Sequence, residues 1–235
     1  MREEIFNFYR DVYAEDIIAT DNILGFKNKY FNNHIMTPHF LLNQDVSTAE
    51  VLEHKNLMGR NHYWLNSLVD TLDYEINNTI KNHVGIQYVF NTKKLLNLAI
   101  PGYRIEIIQN LSQMQRNKLS EITFLNSFNL SLDTQAKIGI VVRNSNAKVE
   151  YLLAYDNREV IGGYIIVHGQ NISLLINGSL NVEYRHTGIF KQMLSSGVNH
   201  CLENEGKHAT FYWTFNDKLM GRGDFILNSR IFSFK

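Results

Sequence analysis

The chain has 235 residues with 23 Lys plus Arg against 23 Asp plus Glu, so no net field steers it toward nucleic acid or anionic lipid. With 44% hydrophobic and 12% aromatic residues it can fill one large core or two small ones, which excludes a long disordered tract. A single Cys201 excludes an internal disulfide, no apolar run approaches the length of a membrane span, and Met1–Phe26 lacks a signal-peptide pattern, so a reducing, cytoplasmic setting without membrane or nucleic-acid partners is expected.

In chain order, Ile5, Phe8, Tyr9 and Val12 recur at helical spacing, and so do Trp64, Leu65, Leu68, Val69, Leu72 and Ile76. Both sets predict amphipathic helices. Another helix is predicted from Ser47, where Glu50 three residues later resembles a capping box ahead of Val51 and Leu52. Asn33–Phe40, with Pro38, reads as a connection, and Val84–Phe90 as a strand. His34, His39, His54 and His62 lack a Cys or carboxylate pattern, so no metal is expected. The pair Pro101-Gly102 then marks a boundary between a mostly helical amino-terminal region, 1–100, and a strand-rich region, 101–235.

The second region has a different rhythm. Tyr103–Ile108 alternates as a strand; Ser112 and Gln115 resemble a helix start, with Met114, Leu119, Ile122 and Leu125 as its apolar stripe. Val149–Tyr155 and Val160–Val167 flank Asp156-Asn157-Arg158 and should pair as a hairpin. After the turn at His168–Asn171, Ile172–Val182 is a long strand interrupted by Asn177-Gly178-Ser179, which predicts a bulge. From Gly188 to Leu202 the period becomes helical, with Phe190, Met193, Leu194, Val198, Cys201 and Leu202 on one face and Lys191, Gln192, Ser195, Asn199 and Glu203 on the other. Gly206 is a helix stop. Ala209–Phe215 reads as a buried strand, followed by a short helix or turn and a terminal strand around Ile231–Phe234. Cys201 is expected to be a buried inert thiol, and His168 and His200 to be structural or solvated.

Chemistry is expected where the long strand meets the helix, at Val182-Glu183-Tyr184-Arg185-His186-Thr187-Gly188-Ile189-Phe190-Lys191. Unpaired amides and the helix dipole at such a start suit a phosphate or pyrophosphate, and Gly188 permits close approach. Arg185 and Lys191 can add charge-assisted contacts.

These residues resemble the GCN5-related N-acetyltransferase (GNAT) superfamily, whose signature runs Arg or Gln, two residues, Gly, one residue, then Gly or Ala. Arg185, Gly188 and Phe190 occupy those positions, and the bulky Phe190 is similar to a variant form of the motif. The order of elements from Tyr103 onward matches as well. The resemblance implies a mixed α/β (α+β) fold, a GNAT-like, mostly antiparallel sheet flanked by helices, carrying an acyl-CoA-binding domain over 101–235. It implies acetyl-CoA or another acyl-CoA as co-substrate, and transfer of the acyl group to an amine. The bulge would splay the long strand from its neighbour, Leu180 and Val182 would offer backbone groups to the pantetheine arm, and Arg185, His186, Thr187, Gly188, Ile189, Phe190 and Lys191 would hold the pyrophosphate. The thioester would lie between Ile176–Val182 and Phe211–Phe215, and backbone amides would stabilise the oxyanion.

For the proton steps the resemblance offers Asn216, which matches the Asn after the family's fifth strand, while the usual Tyr in the next helix is missing from Asp217–Phe225. Tyr212 is the nearest substitute and Glu183 the nearest carboxylate. Two competing readings stay open: a non-catalytic GNAT-like acyl-CoA-binding or interaction module, and transfer of a longer acyl chain. The amino-terminal region could cap the acceptor site, complete the sheet or form a homodimer interface.

Overall fold

The computed structural model describes residues 7, 16–27, 39–41, 47–58, 63–67, 80–90, 95, 99–123, 148–214 and 225–234. In chain order the elements begin with strands β1 (Asp16–Ala19), β2 (Ile23–Lys27) and β3 (His39–Leu41), helix α1 (Thr48–Met58), β4 (Tyr63–Ser67) and β5 (Ile80–Phe90). They continue with β6 (Tyr103–Ile108), helix α2 (Gln113–Ser120), β7 (Lys148–Asp156), β8 (Glu159–His168), β9 (Ile172–Leu180) and a 3-10 turn at Val182–Tyr184. Helix α3 (Ile189–Asn204), β10 (His208–Thr214) and β11 (Phe225–Phe234) complete them. They divide into two compact units, one of Met1–Val89 with Tyr212–Lys235 and one of Phe90–Phe211.

In the first unit the strands follow the order β1-β2-β3-β4-β11-β5. Helix α1 is tied to the turn between β1 and β2 by Glu50. Its carboxylate accepts from the Thr20 hydroxyl at 2.6 Å and from the Asn22 amide and side chain at 2.9 and 2.8 Å. Ser47 caps the helix by accepting from the Glu50 amide, as expected, but the Glu50 side chain serves the neighbouring turn.

The expectation of a mostly helical amino-terminal region is corrected for the described residues before Pro101 alone, among which strand residues outnumber helical ones. Trp64 and Leu65, assigned to a helix by spacing, lie in β4 opposite Ser233 and Phe232 of β11. A pentapeptide as short as Tyr63–Ser67, opening with two aromatic residues, suits a strand as readily as one turn of a helix. Ile5, Phe8, Tyr9, Val12, Leu68, Val69, Leu72 and Ile76 fall outside the described residues.

The second unit carries the strand order β10-β9-β8-β7-β6. β6 to β9 pair antiparallel with successive neighbours, whereas β10 runs parallel to β9. A parallel pair needs a crossover, and α3 provides it. Side chains alternate across the sheet, so neighbours in β7 feed two cores. On one face Leu119 and Ile122 pack with Leu153, Tyr155 and Val160. On the other, Gly197 of α3 comes so close to the sheet that a Cβ there would meet Leu175 at 2.9 Å and Leu152 at 3.5 Å.

The local signals act as their chemistry requires. Ser112 and Gln115 form a reciprocal capping box, each side chain accepting the other's amide. The hairpin turns at Asn157-Arg158, and α3 stops before Gly206, where the Lys207 amide donates back to the Cys201 carbonyl. Met114 is a correction: expected on the buried stripe of α2, it is 76% exposed. Leu125 lies outside the described residues.

Candidate functional site

Between β8 and β9 the register slips: Gly163 faces Ser179 but Ile165 faces Ile176, so β9 carries one extra residue at Asn177-Gly178. The bulge is where the sequence places it. The parallel pairing of β9 with β10 in this unit covers Ile172–Leu175 against His208–Phe211, and β9 continues beyond it to Leu180. A segment of strand backbone therefore extends past its last paired position on that side.

From the end of β9 the chain makes the short 3-10 turn and then reverses into α3. Tyr184 anchors the reversal. Its hydroxyl donates to Asp156 Oδ2 at 2.9 Å, its ring meets Tyr103 edge to face at 6.0 Å, and the Asp156 bond pushes its phenol up to about 12. Beyond it, His186 (φ 69°) and Gly188 (φ 92°) are both left-handed. That geometry is common for Gly and costs a β-carbon-bearing residue energy. The Thr187 hydroxyl donates to the Tyr184 carbonyl at 2.6 Å and closes the turn from inside.

The turn leaves donors unused. Among the described residues the amides of His186, Gly188 and Lys191 donate to no protein acceptor, while the Ile189 amide reaches only Thr187 Oγ1, at 3.4 Å. Arg185, His186, Thr187, Gly188 and Lys191 are exposed, and neither Arg185 nor Lys191 has an ion pair among the described residues. Ile189 is buried completely and Phe190 half-buried, so any ligand contact from Ile189 is through its backbone. Leu180 is buried at the end of β9, and Val182 and Glu183 are exposed on the 3-10 turn.

The sequence-derived residues thus separate into two groups. Leu180, Val182 and 185–191 come together at the strand-to-helix junction. Tyr212 lies in the last part of β10, which belongs to the other unit, and Asn216 lies outside the described residues.

Helix α3 departs from its expected polar face, since Gln192, Ser195 and Asn199 are buried. Their polar groups are spent on backbone. Gln192 Oε1 accepts from the Ile100 amide at 3.3 Å, and Asn199 both accepts from the Leu95 amide at 2.9 Å and donates to its carbonyl at 3.0 Å. Leu95 and Ile100 are thereby strapped to the helix, and Ile100 reaches to within 2.9 Å of where a Cβ on Gly188 would stand. A hydrophobicity pattern cannot show this, because a satisfied buried amide reads like a solvated one.

Near the far end of β7 and β8, Glu150 accepts from His168 at 2.9 Å and His200 at 2.6 Å, with Lys148 at 3.2 Å and paired also with Glu205. Burial alone would raise the Glu150 carboxyl; the bonds from His200, His168 and Lys148 outweigh it and hold it at about 2. His168 is buried, with its other ring nitrogen 2.8 Å from Ser173 Oγ, and burial lowers its pKa. The ligand atoms of Glu150, His168, His200 and Glu205 lie within 4.8 Å of one another, yet Lys148 already supplies a cation to both carboxylates. Cys201, beneath this network, is fully buried, and burial pushes its thiol up to about 12.

No protein-family model and no curated protein matches the chain. Solved structures do. A functionally unknown conserved protein from Staphylococcus epidermidis is similar with TM-score 0.67 and 14% identity over 96% of this chain and 95% of the other. A GCN5-related N-acetyltransferase from Kribbella flavida gives TM-score 0.66 and 11% identity over 99% and 92%. Another from Sphaerobacter thermophilus gives 0.59 and 8% over 90% and 75%. Identities this low establish the fold alone. It is GNAT-like: mixed α and β, with an antiparallel sheet and flanking helices.

Proposed function

We propose that this protein is an N-acyltransferase that takes an acetyl or other acyl group from acyl-coenzyme A and delivers it to an amine. The observation that carries this reading is the turn His186–Lys191. Among the described residues the amides of His186, Gly188 and Lys191 and the cations Arg185 and Lys191 have no partner, His186 and Gly188 are left-handed, and all stand at the start of a long helix. A pyrophosphate fits that donor set, since orphan amides and a helix dipole favour an anion and both cations are free to reach it.

Bound acyl-CoA supplies a thioester, an acyl carbonyl already activated toward attack. The chain contributes position and donors. Leu180 and Val182 offer backbone groups to the pantetheine arm, next to the length of β9 past Leu175, which pairs with β8 on one side and lies beyond its β10 pairing on the other. For protons, Tyr212 is the donor to the departing thiolate and the Glu183 carboxylate takes up the proton that the amine loses, while Asn216 orients the acceptor by hydrogen bonding. Tyr212→Phe is expected to lower turnover and leave coenzyme binding unchanged.

A non-catalytic acyl-CoA-binding module is the second reading, favoured by Phe190 standing at the motif's small-residue position. Thiol release from acetyl-CoA across a broad panel of amines separates the two. Amine-dependent release supports the transferase, and binding without release supports the module. Among the described residues no helix is long and apolar enough to cross a membrane.

A further inference from the structure

One buried polar group in the second unit has no structural use. Tyr164, in the middle of β8, is 3% exposed, and its hydroxyl has no hydrogen-bond partner among the described residues. An orphaned buried hydroxyl is destabilising, and such groups are rare enough that each needs a reason. Phenylalanine would fill the same space without the penalty.

Its position supplies the reason. Tyr164 lies opposite the extra residue of β9, and Gly178 is what makes room for it. A Cβ on Gly178 would stand 2.0 Å from the Tyr164 ring and 2.7 Å from its hydroxyl oxygen. Phe190, from the first turn of α3, packs on the same ring with centroids 5.6 Å apart and a 49° tilt. The hydroxyl is therefore held over the bulge, on the α3 face, between the β9 backbone and the helix that begins at the anion-binding turn. Burial pushes the phenol far above its ordinary range, so it keeps its proton and can only donate or accept a hydrogen bond.

We infer that Tyr164 is an acyl-positioning residue, whose buried hydroxyl donates to the carbonyl oxygen of an acyl group lying over the Gly178 bulge. The inference rests on the acyl-CoA reading above. It extends that reading by naming which part of the ligand is recognised: the thioester carbonyl, which free coenzyme A lacks. No bond to Tyr164 forms or breaks, and its proton stays in place. Phe190 acquires a role as well, as the side chain that fixes the tyrosine ring against the bulge.

The test compares acetyl-CoA with free coenzyme A as calorimetric ligands for the wild type and Tyr164→Phe. A neutral hydrogen bond of ordinary strength corresponds to about a tenfold change in affinity. Tyr164→Phe is expected to weaken acetyl-CoA about tenfold, to leave coenzyme A unchanged, and to melt at or above the wild-type temperature because an orphan is removed. A purely structural tyrosine would not move one ligand without the other. Unchanged affinities, as when a trapped water satisfies the hydroxyl, overturn the inference, and so does an equal loss for both ligands or a lowered melting temperature. Those results leave the acyl-CoA reading standing, whereas a wild type that binds neither ligand removes both.

Discussion

Tyr184 and Asp156 join two turns that are distant in sequence: the hydroxyl that closes the approach to α3 donates across 2.9 Å to the carboxylate at the end of β7. The turn before α3 is consequently held against the hairpin of the sheet and does not rely on its own short-range bonds alone. Tyr184→Phe is expected to weaken acetyl-CoA binding several-fold with little change in the melting temperature, since Tyr184 is only half-buried. Calorimetry on the variant checks it; unchanged affinity would mean that the turn needs no anchor.

Asn199 holds both backbone groups of Leu95. Asn199→Ala leaves a part-buried amide and carbonyl without their partner, and a loss of about 1–3 kcal/mol is expected by chemical denaturation. Loss of the strap should also slacken Ile100 beside Gly188, so coenzyme affinity should fall in the same variant. A stability within error of the wild type would contradict the strap.

The buried network around Glu150 makes stability depend on acid. The folded-state pKa of Glu150 is held near 2, below its ordinary 4.5, and that of His168 is lowered below 6.5. In both cases the unfolded chain binds more protons at low pH, so the stabilisation is complete above about 6.5. It declines first through the His168 window and then, between 4.5 and 2, through that of Glu150. The Glu150 share is on the order of 3 kcal/mol at neutral pH. Denaturation profiles against pH should therefore fall across that range, and Glu150→Gln should flatten the limb below 4.5. A wild-type profile without that decline would contradict the assignment.

Much of the second unit was legible because local chemistry and tertiary structure agree there. The Ser112 capping box, the Asn157 turn, the Gly206 stop and the bulge at Asn177-Gly178 each follow from residue types whose preference survives folding. The same holds for the strand-to-helix junction with Arg185 and Gly188. Trp64 and Leu65 were misread because a short aromatic run fits two periods, and only its partner β11, far away in sequence, decides between them. Gln192 and Asn199 were misread because their partners are backbone atoms about a hundred residues earlier. Tyr164 went unremarked for a similar reason, since a tyrosine in a core strand looks ordinary until its hydroxyl is seen to lack a partner.

The central claim is that the turn at His186–Lys191 binds the pyrophosphate of an acyl-CoA, and calorimetric titration of acetyl-CoA into the wild type and Gly188→Glu tests it most directly. Gly188 is left-handed, and a side chain there meets only the flexible end of Ile100, so the variant is expected to fold at a cost of about 1–2 kcal/mol. Its carboxylate would occupy the anion site. The account predicts saturable binding to the wild type and none to a folded Gly188→Glu. Undiminished binding to the folded variant, or no binding to the wild type, would contradict it.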